Sequence, residues 1–171
     1  MNKIIALLFF SLAAVSSVSG QGTIKISLRK QITGSASNTI KLYKFNPQNN
    51  CNQSKAVSII YEDKISPCFD YVKTIKTGEV KKITGLLRKS TTYGGEDVAC
   101  FDTEYALLIF DKSNVVIGYV NISLSCNKLI SNPIIPEREH YANQGLRKVG
   151  FSKKGRNTLL KLLGLSDNNK K

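Results

Sequence analysis

The sequence predicts an all-β fold: an antiparallel β-sandwich or barrel followed by a short C-terminal helix. Two observations carry this. Short runs rich in β-branched and aromatic residues follow one another, each bounded by Gly, Pro, Asn or Ser turn signals. One segment near the C-terminus instead spaces its leucines with a helical period.

Thr23 to Lys30 alternates strictly, with Ile24, Ile26 and Leu28 on one side and Thr23, Lys25, Ser27 and Arg29 on the other. That is the period of a half-buried strand. After the break at Gly34-Ser35-Ala36-Ser37-Asn38, a second strand is expected over Thr39 to Phe45. The Asn-rich stretch from Asn46 to Ser54 reads as a loop. Ala56 to Tyr61 and Cys68 to Lys73 read as the third and fourth strands, interrupted by Pro67. Thr77-Gly78 then turns into Glu79 to Leu87, where Val80, Ile83, Leu86 and Leu87 are apolar. Gly94-Gly95 marks a loop over Ser90 to Asp97.

The clearest element is a hairpin of Cys100 to Phe110 and Val115 to Cys126. A three-residue loop, Lys112-Ser113-Asn114, needs a left-handed residue, and Asn114 tolerates that conformation. Asp111 then faces Val115 and Cys100 faces Cys126, so a disulfide would staple the open end. The same register sets Asn121 opposite Tyr105 on a polar face. It also sets Glu104 and Asp102 opposite Ile122 and Leu124. Either the hairpin opens there or the register slips by one, which would send every side chain to the other face.

Pro133-Ile134-Ile135-Pro136 reads as a rigid extended link. Beyond it, Ser152 to Leu163 reads as helical near its end, with Leu159, Leu162 and Leu163 on one face and Gly164 as the stop. The expected organisation is a signal peptide over 1–20, a disulfide-stapled β domain over 21–132, and a basic C-terminal extension over 133–171.

The leader rests on Lys3, an apolar run from Ile4 to Val15, and small residues at Val18-Ser19-Gly20. That run is about half the ~20 residues a spanning helix needs. A secreted, extracellular protein is therefore expected. In that compartment the four cysteines read as two disulfides. With Cys100 assigned to Cys126, Cys51 is left for Cys68. Asn52-Gln53-Ser54 and Asn121-Ile122-Ser123 are N-glycosylation acceptors, which must stand on the surface if used.

The formal net charge is +13, or +12 once Lys3 leaves with the leader. Residues 21–61 hold six bases and no acid, including Lys25, Arg29, Lys41 and Lys44, and residues 112–171 hold eleven bases against three acids. The middle, residues 62–111, is slightly acidic, with nine acids against seven bases. Such a field attracts polyanions. The strongest cluster comprises Arg147, Lys148, Lys153, Lys154, Arg156 and Lys161, with no acid among residues 147–161. A basic amphipathic segment of this kind grips a polyanion backbone or lies on an anionic membrane.

Catalytic signals are thin. His140 is the one histidine, which excludes a pair of histidines acting as acid and base. G-x-S-x-G, H-E-x-x-H and calcium-loop patterns are absent. Disulfide pairing would leave no thiolate nucleophile. Glu62, Asp63, Glu96, Asp97, Asp102 and Glu104 are the carboxylates from which a glycan hydrolase would draw its pair. The tyrosines read as packing residues. The expectation is a secreted, non-enzymatic binding protein without metal or cofactor that engages a polyanionic glycan or an anionic membrane, with intracellular nucleic acid outside its reach. The alternatives are a membrane-active host-defence protein inserting through Phe151 to Leu165, and a glycan hydrolase.

Overall fold

The computed structural model describes residues 25–28, 38–49, 51, 58–96, 98–142 and 148–166, without the side chains of residues 140–142. The leader, Arg29, Asn52, Asp97 and Arg147 lie outside the described residues.

Most of the regular structure is antiparallel sheet. The strands are β1 (Thr39–Phe45), β2 (Ile60–Tyr61), β3 (Lys64–Ile65), β4 (Phe69–Thr74), β5 (Tyr93–Gly95), β6 (Tyr105–Phe110), β7 (Val116–Ser123), β8 (Lys128–Asn132) and β9 (Gly150–Phe151). Five of them form one sheet in the order β4-β1-β6-β7-β8. The pairs β2-β3 and β5-β9 form two small ribbons. Among the described residues the α-helices are α1 (Thr77–Leu87), α2 (Pro136–Ala142) and α3 (Lys153–Leu163). The antiparallel strands and the short C-terminal helix are as expected.

Glu79 to Leu87 is helix and not strand. Val80, Ile83, Thr84 and Leu87 form its buried stripe, a spacing of 3.6 residues and not of two. Pro136 starts α2 where an extended link was expected, as Pro suits the first helical turn. Among the described residues, helices rather than a second large sheet cover one face of the five-stranded sheet. There Val80, Ile83 and Leu87 of α1 meet Ile40, Leu42, Leu107, Ile109, Val120, Ile122 and Leu129 of the sheet. Leu159, Leu160 and Leu163 of α3 enter the same cluster. Each buried leucine is worth about 1.5–3 kcal/mol. The C-terminal extension thus shares the core of the β domain.

The opposite face carries a second cluster. Tyr43, Phe69, Ala106, Leu108, Phe110 and Val116 of the sheet belong to it, and Ile59 and Cys68 cover them. Because both faces are covered, five of the six residues of β6 are buried, and the strand reads as a continuous apolar run. Of the expected first strand, residues 25–28 are described, and Ile26 forms a parallel bridge with Val116. Val116 N–H donates to the Lys25 carbonyl at 2.9 Å, and Ser27 N–H donates to the Val116 carbonyl at 2.8 Å.

Both expected disulfides form, Cys51–Cys68 and Cys100–Cys126. The hairpin turn is also as read. Asn114 has φ 57°, and Asp111 Oδ1 accepts from Ser113 N–H at 2.9 Å and Val115 N–H at 3.1 Å. The register is not. Phe110 faces Val116, but a bulge then moves every later pair by one, from Ile109 opposite Gly118 to Tyr105 opposite Ile122. Asn121 therefore faces Ala106 and points into the second cluster's layer. Cys100 still reaches Cys126 because both lie beyond the ladder, in irregular segments before β6 and after β7.

Candidate functional site

Two helices side by side set the character of one whole surface. Helix α1 turns Val80, Ile83 and Leu87 inward and leaves Lys81, Lys82, Gly85 and Arg88 exposed, with Lys89 exposed just beyond its end. Glu79 is the acid on this helix and is half-buried. Helix α3 does the same with Leu159, Leu160 and Leu163 inward and Lys153, Lys154 and Lys161 exposed. It carries no acid. Both pack on one face of the sheet, so their cationic stripes share the outside of one layer.

The anchoring of α3 is detailed. Ser152 caps it, its Oγ accepting from Gly155 N–H at 3.0 Å and donating to the Thr91 carbonyl at 2.8 Å. Gly155 lies against the Thr92 backbone, where a Cβ would collide with the carbonyl. Gly164 ends the helix with φ 63°, and Leu165 N–H returns to the Leu160 carbonyl at 2.9 Å. Just before the helix, β9 pairs with β5, and Tyr93 stacks on Phe151 with ring centres 6.1 Å apart.

The sequence-derived cluster divides accordingly. Lys148, Lys153, Lys154 and Lys161 are exposed. Arg156 is a tether: its Nη1 donates to the Leu124 carbonyl and lies 3.5 Å from Asn127 Oδ1. It holds the 124–127 turn, whose Asn127 Nδ2 in turn donates to the Phe151 carbonyl at 2.9 Å. Arg147 lies outside the described residues. Of the strand bases, Lys41 sits on the other face of the sheet, its Nζ 4.4 Å from the Phe110 ring centre. The α1 cations were missed because that segment belongs to the acidic middle of the chain. The spacing of Val80, Ile83 and Leu87 was the signal that separates its lysines from its core residues.

A shallow, open depression of about 290 Å³ lies beside this layer, lined by Lys81, Thr84, Gly85, Arg88 and Glu137. Arg88 Nε is 3.6 Å from Glu137 Oε1, and Arg138 Nη1 is 2.7 Å from Glu139 Oε1. Beneath them Tyr93 donates its hydroxyl to the Leu87 carbonyl at 2.7 Å. Burial holds its phenol well above the ordinary range, opposed in part by Arg138.

The other singled-out residues are scattered. His140 belongs to α2, with its side chain outside the described residues. Glu62 and Asp63 form the turn between β2 and β3. Glu104 Oε1 accepts from Ser125 N–H at 2.8 Å. Exposed Asp102 approaches Cys100 and Cys126 closely, but a disulfide consumes both sulfurs as metal ligands. Glycan acceptance at Asn121 is a correction: the residue is 1% exposed. Its Oδ1 accepts from Ile59 N–H at 3.0 Å and its Nδ2 donates to Ser58 Oγ at 3.1 Å. The shifted register turned this amide inward, and the fold leaves no room for a sugar on it.

No helix among the described residues is long and apolar enough to cross a membrane. No family model matches this chain, and no curated protein and no solved structure matches it.

Proposed function

We propose that this is a secreted, non-enzymatic binding protein that engages polyanionic surfaces through the outer layer formed by α1 and α3. The observation that carries the reading is the division of labour on those helices. Their apolar residues enter the core, while Lys81, Lys82, Arg88, Lys89, Lys153, Lys154 and Lys161 stand outside with a single acid, half-buried Glu79, on α1. Lys153 and Lys154 occupy the first turn of α3, the end where the helix dipole already favours anions and disfavours cations. An anionic partner relieves that repulsion. Secretion rests on the leader pattern and agrees with the two disulfides. Asn52 remains the candidate glycan acceptor.

Insertion of Phe151 to Leu165 into a membrane finds less support. Phe151, Leu159, Leu160 and Leu163 are buried, and release of the segment would open the main core.

The test is binding of residues 21–171 to heparin, anionic vesicles and nucleic acid at low and physiological salt. Electrostatic engagement requires affinity that falls as salt rises and that drops when the lysines of α1 and α3 are neutralised. Salt-insensitive binding, or binding indifferent to those lysines, rejects the proposal.

A further inference from the structure

We infer that the partner of the α1–α3 layer is a linear sulfated polysaccharide, which lies along the outer face of α1; this rests on the polyanion reading above. The cationic stripe of α1 is open along its length. Gly78 and Gly85 are both exposed, and a Cβ at either position would meet nothing within 4 Å. Neither glycine serves a contact within the chain at that position, and Gly85, inside the helix, costs it about 1 kcal/mol relative to alanine. Gly85 lies in the depression between Lys81 and Arg88. A thin, charged chain can therefore approach the helix backbone there between Lys81 and Arg88, where its sulfates compete with Glu137 for the Arg88 guanidinium. Charge complementarity selects the occupant: fixed sulfates against Lys81 and Lys82 on α1, Lys89 just beyond its end, and Lys154 and Lys161 on α3.

The same face is poorly suited to the other polyanions. Among the described residues the exposed large apolar side chains are Leu28, Tyr71, Val72, Val98, Ile130 and Ile134, none of them on α1 or α3. Stable attachment to a lipid surface draws on apolar side chains that enter it. Single-stranded nucleic acid binds by stacking on exposed aromatics, which these helices lack.

The experiment compares heparin, phosphatidylserine vesicles and a DNA duplex as probes of residues 21–171 at about 0.15 M salt. Retention by heparin, with vesicles and duplex at least about tenfold weaker, supports the inference. Equal or tighter binding to vesicles or duplex overturns it while leaving the polyanion reading in place. Failure of all three probes removes both. Two charge variants then locate the chain: Lys81→Gln with Lys82→Gln and Lys89→Gln, and Lys154→Gln with Lys161→Gln. Each should weaken heparin binding about tenfold. Gly85→Gln is the sharper test. It should raise the thermal midpoint, because a better helix former replaces glycine in open space, and yet weaken heparin several-fold by filling the approach. A raised midpoint with unchanged heparin affinity overturns the placement on α1.

Discussion

The two faces of the five-stranded sheet are covered in different ways. On one face, helices α1 and α3 bring apolar stripes, and ten side chains of the sheet and α1 join three leucines of α3 and their neighbours in a continuous cluster. On the other, the short β2–β3 ribbon and the described residues beside it bring Ile59 and Cys68 over the sheet. A helix carries its own backbone hydrogen bonds and needs only a greasy stripe to dock. A two-residue ribbon carries few such bonds and no such stripe, so this cover is tied down piece by piece. Cys51 bonds to Cys68, Asn121 clamps Ser58 and Ile59, and Asn46 and Asn49 hold Asp70.

Removing one core leucine tests the helical side. Leu163→Ala should cost about 2–5 kcal/mol through lost burial and the cavity left behind, read as a fall in the urea midpoint. A loss below about 1 kcal/mol would show that α3 is an ornament on a sheet stable without it. On the other face, replacing Cys51 and Cys68 together by Ser opens a disulfide spanning 17 residues, with an expected cost of about 3 kcal/mol. Hydrogen exchange should quicken first around Ile59 and Ser66 while α1 stays protected. Simultaneous loss of protection on both faces would break the distinction drawn here.

The amide clamp is a smaller lever. Asn121→Ala leaves the buried Ile59 N–H without its acceptor, at a cost of about 1–3 kcal/mol, measured by chemical denaturation. Mass analysis of the glycosylated protein should find Asn121 unmodified.

This clamp also shows where the sequence ceased to be legible. The turn at Asp111 to Asn114 was readable because its chemistry is local: a carboxylate accepts two nearby N–H groups and an asparagine takes the left-handed position. The bulge between Ile109 and Phe110 was not. The extra residue is Ile117, skipped between Val116 opposite Phe110 and Gly118 opposite Ile109; the isolated Gly118 beside it was the available signal, and that one inserted position inverted the facing of Asn121. Helix α1 failed for another reason. Two glycines and β-branched Val80, Ile83 and Thr84 weaken its propensity, and burial of one stripe decides the conformation instead. Its two lysines, with Arg88 at its C-cap and Lys89 just beyond, were then invisible as a group, because only a helix gathers these cations on one side. The C-terminal lysines were legible as charge, but Arg156 could be told from them only by its contacts with the 124–127 turn.

The smallest expected effect belongs to Asp70. Hydrogen bonds from Asn49 and then Asn46 hold its carboxyl below the ordinary aspartate range. A folded-state pKa below the unfolded value favours folding above the unfolded pKa, about 3.9. That contribution disappears as pH falls through the folded value. Titration by carbon-13 NMR should find Asp70 depressed, and Asn49→Ala should move it up toward the ordinary value. An unshifted Asp70 would mean that the asparagine tie around β4 does not persist in solution.

The return of β9 to β5 and the seating of α3 against the sheet also order events in time. Synthesis runs at about 5–20 residues per second, and the five strands of the large sheet are all made by Asn132. The leucines of α3 that complete the cover begun by α1 arrive only at Leu159, Leu160 and Leu163. For the seconds between, a sheet formed early has α1 on its greasy side but not α3, so part of that flank stays uncovered and self-association competes with completion.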